Sequence, residues 1–132
     1  MDMAQSQRES PHALGDLLMA WFRFLLALML AVLLSYTGVV ISNHGLNLLP
    51  VFFGDVAEMA WPGQFNLDFA GFLVLSALWT AWRHHFSPLG VALAVVALFG
   101  GVAFLATYLL AASYQVKGDT RALLLGRERA RA

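Results

Sequence analysis

The sequence predicts an all-α fold: a transmembrane bundle of three helices, with an interfacial segment in the first loop and a short amphipathic C-terminal helix. Three observations carry that expectation. Of 132 residues, 60% are hydrophobic and only 12% charged, against about a quarter charged in an ordinary soluble domain. So little polar surface cannot cover a water-facing globule, and lipid is the expected solvent. Three stretches, residues 17–42, 67–85 and 88–116, are long and nearly free of charge, and a hydrocarbon core of about 30 Å takes roughly 20 helical residues. Between them lie residues that start and stop helices.

Residues 1–16 form a polar N-terminal tail with Arg8, Glu9, Pro11 and Gly15, and read as loose. The transmembrane domain, residues 17–116, follows. Phe24 to Ile41 holds no charge, and Arg23 can snorkel to the surface. The apolar run exceeds that of a cleavable signal, and no small-x-small site follows it closely. Asn43 and Gly45 suit a left-handed helix end.

His44 to Gln64 contains Pro50, Gly54, Asp55, Glu58, Trp61, Pro62 and Gly63. Its apolar part, Leu46 to Phe53, is too short to cross. A crossing through residues 46–61 would bury Asp55 and Glu58, at roughly 2.5–3.5 kcal/mol for a central aspartate. The expectation is a loop with a short interfacial helix, anchored by Trp61 at headgroup depth. Asn66 then resembles an N-cap, with Asp68 in the first turn of the second span, where the helix dipole favours a carboxylate. Trp79 and Trp82 mark the far interface, and Arg83, His84 and His85 the exit. Ser87 and Pro88 suit the N-cap and first residue of the third span, which is long enough to tilt. Lys117 and Gly118 close it. In the basic tail, residues 117–132, Asp119 is placed to cap a helix from Thr120 to Arg129 that would lie on the membrane surface.

Charge gives conflicting signs about sidedness. The first loop has two acids and no Lys or Arg, marking it as outside and Arg8, Arg23 and Arg83 as inside. Three spans then place the basic tail outside. A fourth span through residues 46–61 would return it, while burying Asp55 and Glu58 and moving Arg83 outside.

Several function classes drop out. Eight basic and eight acidic residues give no basic surface for nucleic acid. The absence of cysteine removes disulfides, thiol nucleophiles, thiolate-bound zinc and ordinary iron–sulfur ligation. His44 lies at one membrane face and His84 and His85 at the other, about 30 Å apart, so they cannot share a haem iron; no cofactor or metal is expected. No nucleophile elbow, phosphate-binding glycine loop or HExxH occurs, so no catalytic residue is assigned and the chain is not expected to be an enzyme. Gly90, Ala94, Ala97 and Gly101 form a stripe of small residues on the third helix and are its helix-packing candidates, since lipid leaves close backbone approach as a main source of contact. Ala27, Ala31 and Gly38 do the same on the first helix, and Ala70, Ala77 and Ala81 on the second. Asp68 is the one carboxylate within a predicted span and a possible polar site, because intramembrane acids often mark ion or proton paths.

The expected role is accessory or structural: helix–helix association in the lipid bilayer, by self-association or within a larger membrane complex. An alternative is a subunit of an oligomeric small-solute or ion transporter with Asp68 at the pore mouth. A weaker one is the membrane anchor of a redox complex, using His44, Asp55 and Glu58.

The segments FNLDFAGFLVLSALWTAWRHH, FSPLG and ATYLLAASYQVKGDTRALLLGR carry a resemblance. Over Asn47 to Arg127 the chain resembles small bacterial inner-membrane proteins grouped as a domain of unknown function. The distinctive positions are Asp68, Arg83 and the stretch from Gly118-Asp119 to Gly126-Arg127. The resemblance implies a multi-pass protein of the bacterial inner (plasma) membrane and transfers no catalytic residue.

Overall fold

A computed structural model describes residues 12–132 with their side chains and residues 3–11 by backbone alone. Six helices follow one another: α1 Met3–His44, α2 Leu48–Ala57, α3 Trp61–Arg83, α4 Pro88–Gln115, α5 Thr120–Leu125 and α6 Arg127–Arg131. The described residues contain no strand. Three helices are long and apolar enough to cross a bilayer: α1 over His12–His44, α3 and α4. The chain is an all-α, multi-pass membrane protein.

The helix boundaries follow local chemistry. Gly45, at φ 75°, ends α1 and donates its N–H to the Ile41 carbonyl at 2.8 Å. The Ser87 hydroxyl accepts from the Gly90 N–H at 3.1 Å and caps α4. Lys117 and Gly118, at φ 53° and 79°, close α4, and the Gly118 N–H reaches back to the Ser113 carbonyl at 2.9 Å.

Three boundaries differ from the expectation. Residues 12–16, assigned to the loose tail, continue α1; the rest of that tail lies outside the fully described residues. The helix expected to begin at Asn66 begins at Trp61. There Ala60 is extended and Pro62 sits in the first turn, where a missing N–H is harmless. The single helix expected from Thr120 to Arg129 breaks at Gly126, whose φ of 85° excludes helix.

The chain forms two compact units, one of Met1–Ala31 with Ala106–Ala132 and one of Val32–Leu105. In the first, α1 and α4 run antiparallel. Met19 packs with Val116, Arg23 bonds Ser113, and Ala27 shares a shallow recess with Leu110. A small core gathers Met19, Ala112, Val116, Ala122 and Leu123, flanked by Phe22, Leu109 and Ala130. The C-terminal segment docks on the ends of α1 and α4: α5 packs Ala122 and Leu123 with Met19 and Val116 and leaves Leu124 exposed. Asp119 does cap α5, accepting the Ala122 N–H at 3.1 Å.

In the second unit, α2 and α3 form a tight antiparallel hairpin. An added Cβ on Gly63 would sit 2.8 Å from the Asp55 carbonyl carbon and the Val56 Cα, so the two backbones touch. α3 and α4 form another: Gly90 lies against Ala81 and His84, and Gly101 against Phe69 and Leu73.

Candidate functional site: packing faces and their polar contacts

The α4 stripe packs inward. At Gly90 a Cβ would come within 2.7 Å of the His84 Cβ and 3.3 Å of the Ala81 carbonyl. Ala94 is half-buried and Ala97 fully buried. At Gly101 a Cβ would meet the Phe69 ring tip at 3.1 Å. Gly101 departs from the helical stripe that sequence spacing implies, because its backbone (φ 53°, ψ −139°) kinks α4. That conformation is open to glycine and strained for residues with a Cβ.

The other two stripes behave differently. On α3, Ala81 is buried and Ala70 and Ala77 half-buried. On α1, Ala27, Ala31 and Gly38 are exposed, and a Cβ on Gly38 would meet nothing within 4 Å. The large apolar residues around them, Leu28, Val32, Leu34 and Val39, are exposed as well.

Asp68 is exposed and lies about 10 Å along α3 from Trp61 at 1.5 Å per residue. This corrects its expected place in the first turn. Asn66 and Asp68 look like a helix start in sequence, but the helix is already under way at Trp61. The dipole acts only over the first turn and does not reach Asp68. Asp68 shares a shallow surface recess with Gly71, Phe72, Val74 and Leu75, all of α3.

Asn66 is a tie between helices and not a cap. Its amide Nδ2 donates to the Phe52 carbonyl at 3.3 Å and to Asp55 Oδ2 at 3.1 Å. One side chain thus satisfies a carbonyl and a carboxylate of α2 together.

Sequence reasoning missed a polar contact between α1 and α4. Arg23 Nε donates to Ser113 Oγ at 2.9 Å and its Nη2 to the Ser113 carbonyl at 2.9 Å. Its guanidinium also stacks 3.9 Å from the Tyr114 ring centre, a favourable cation–π geometry. Ser113 is fully buried, and its hydroxyl donates to the Leu110 carbonyl at 2.7 Å. The one available signal was an arginine at the edge of an uncharged run; its partner 90 residues away carries no mark. Arg127 makes a further link, donating through Nη2 to the Gln115 carbonyl.

His44 and His84 close different helices, and His85 follows His84 in the α3–α4 turn. His44 is the exposed last residue of α1, and His84 ends α3. Burial, then the positive charges of Arg83 and His85, hold His84 below the usual histidine range. Among the described residues no three His, Cys, Asp or Glu side chains converge as metal ligands would. Compared with protein-family models, with curated proteins and with solved structures, the chain finds no match in any of the three.

Proposed function

We propose that this is a small non-enzymatic protein of the bacterial inner membrane whose work is helix–helix association, with itself or within a larger membrane complex. The resemblance seen in sequence favours that location and kind of protein. The observation that carries the reading is the contrast between small-residue faces. The α4 face is used up within the chain at Gly90, Ala97 and Gly101, whereas the α1 face beyond Ala27, at Ala31 and Gly38, is exposed along a span of long exposed apolar side chains. In lipid, a small-residue face gains by letting another helix approach closely.

Self-association is the first case to test, by sedimentation of the detergent-solubilised protein across a range of detergent-to-protein ratios. Gly38→Leu is expected to weaken the association constant about tenfold, the weight of roughly 1.4 kcal/mol of lost packing, while the monomer stays folded. An unchanged distribution would rule out this face for self-association. The transporter alternative draws on Asp68, a carboxylate on an otherwise apolar part of α3. It predicts loss of flux in Asp68→Asn at normal abundance, where the accessory role predicts no change.

A further inference from the structure

We propose that the C-terminal segment binds the headgroup of an anionic phospholipid, in an open recess of about 350 Å³ where α6 folds back on the end of α4. The proposal goes beyond helix–helix association and concerns only the unit that holds both chain ends.

Two glycines shape the recess. Gly118, at φ 79°, turns the chain out of α4, and Gly126, at φ 85°, ends α5 after six residues. The break at Gly126 lets α6 return to the core. Ala130 packs against the cluster that holds Met19, Val116 and Leu123, and Arg127 Nη2 donates to the Gln115 carbonyl.

This fold-back gathers positive charge. Arg127 and Arg131, four residues apart, share one face of α6, and both line the recess together with Lys117. Like charges so placed repel. The one carboxylate in the lining is that of Asp119, and it is already engaged, since its Oδ1 accepts the Ala122 N–H at 3.1 Å. Three cations against one carboxylate leave an excess of two positive charges. No other acid among the described residues lines the recess. An anion seated there relieves the repulsion.

The donors suit a phosphate. Arg127 spends one N–H on Gln115 and keeps the rest of its five-donor fork. Arg131 brings a second guanidinium and Lys117 an ammonium. Guanidinium groups match phosphate oxygens two at a time, and lysine adds a point charge. At about 350 Å³ the recess falls within the range of small-ligand sites, about 300–1,000 Å³.

Position favours a lipid over a dissolved ion. Lys117 follows the last residue of α4 by only two. The 28 residues of α4 reach at most about 42 Å, and a bilayer with its headgroup layers measures about 40–45 Å. The end of α4 therefore lies among headgroups. Trp21 and Tyr114, both exposed at this end of the unit, suit the same depth. A basic cluster immediately beyond a span is where anionic headgroups are held. Leu124, two residues on from the recess-lining Ala122, stays exposed; an acyl chain covers such a residue and a free phosphate leaves it in water.

The test uses the full-length chain in an uncharged detergent, titrated with phosphatidylglycerol or, separately, with zwitterionic phosphatidylcholine. Bound lipid is counted by native mass spectrometry. Phosphatidylglycerol is expected to bind about tenfold more tightly. Lys117→Gln and Arg131→Gln should each weaken its binding about fivefold, what one cation contributes at an anionic lipid surface, and Arg131→Lys should restore it. Arg121→Gln removes the same charge from an exposed position of α5 outside the recess and should leave binding at the native level. These positions are exposed and outside the small core, so the variants keep the fold. No loss in either recess variant, or an equal loss in Arg121→Gln, would overturn the recess as the site. Equal affinity for the two lipids would overturn the selection for negative charge. Full displacement of phosphatidylglycerol by inorganic phosphate would overturn a lipid as the occupant.

Discussion

The unit that holds both chain ends and the unit that holds the hairpins are stabilised in different ways. Near the chain ends the contacts are made by reaching side chains: Arg23 to Ser113 and Tyr114, Met19 into a five-residue core, and Asp119 onto the Ala122 N–H. In the hairpins, apart from the Asn66 amide, they are made by close approach at glycines: backbone against backbone at Gly63, and Gly90 and Gly101 against the helix opposite. Where water is near, apolar side chains gain by leaving it and charged heads can be matched. In lipid that gain is missing, and contact area has to come from close approach. The two regions should therefore fail under different substitutions.

The largest effect is expected from Gly63→Leu. Its Cβ would collide with the backbone of Asp55 and Val56, which cannot rotate away as a side chain could. The loss should be about 3 kcal/mol, the upper end of overpacking costs, measured by denaturant unfolding in detergent. Gly38→Leu provides the contrast: with open space around Gly38, its unfolding midpoint should not move when both proteins are compared as monomers at high dilution. Equal destabilisation of the two would erase the distinction between the regions.

Arg23→Met comes next. It keeps most of the stem but removes two hydrogen bonds from a charged donor, each of a kind worth about 1.5–3 kcal/mol. The Ser113 hydroxyl still donates to the Leu110 carbonyl, and the Ser113 carbonyl still accepts from the Gly118 N–H. Nothing buried is left unpaired, so the expected loss is about 2 kcal/mol and not the sum. Asp119→Ala should cost about 1 kcal/mol, as lost N-caps do. Its signature is faster hydrogen exchange at Ala122 and Leu123 with α3 unaffected; Asp119→Asn should restore protection.

The three long helices were legible in the sequence because hydrocarbon thickness sets a length and charge sets an edge. The caps at Gly45, Ser87, Lys117-Gly118 and Asp119 were legible because each depends on its own few residues. What failed were features whose cause lies elsewhere in the chain. Asn66 looked like a cap because its bonding to Phe52 and Asp55 across a turn leaves no local trace. Gly101 fitted a helical stripe because spacing does not record φ. Arg23 looked like a snorkelling residue because its partner is 90 residues away. The packing of Met19 against Ala122 and Leu123 of α5 was invisible for the same reason, since about a hundred residues separate them in the chain.

His84 offers the smallest expected effect and a direct reading of how closely α4 approaches α3. It lies outside the spans, and the contact at Gly90 that draws α4 against its Cβ accompanies the burial that disfavours its charged form; Arg83 and His85 push the same way. Its folded pKa is thus lowered, so the unfolded chain binds the proton more readily than the fold does. Stability from this group is then complete above its ordinary value of 6.5 and falls as pH drops from there towards the folded pKa. Unfolding midpoints taken from pH 8 to pH 5 should decline gently below 6.5, and His84→Asn should flatten that slope while leaving the response to Gly63→Leu intact. A midpoint that rose as pH fell would mean that the fold prefers the imidazolium, and that the α3–α4 corner is held by charge and not by close contact.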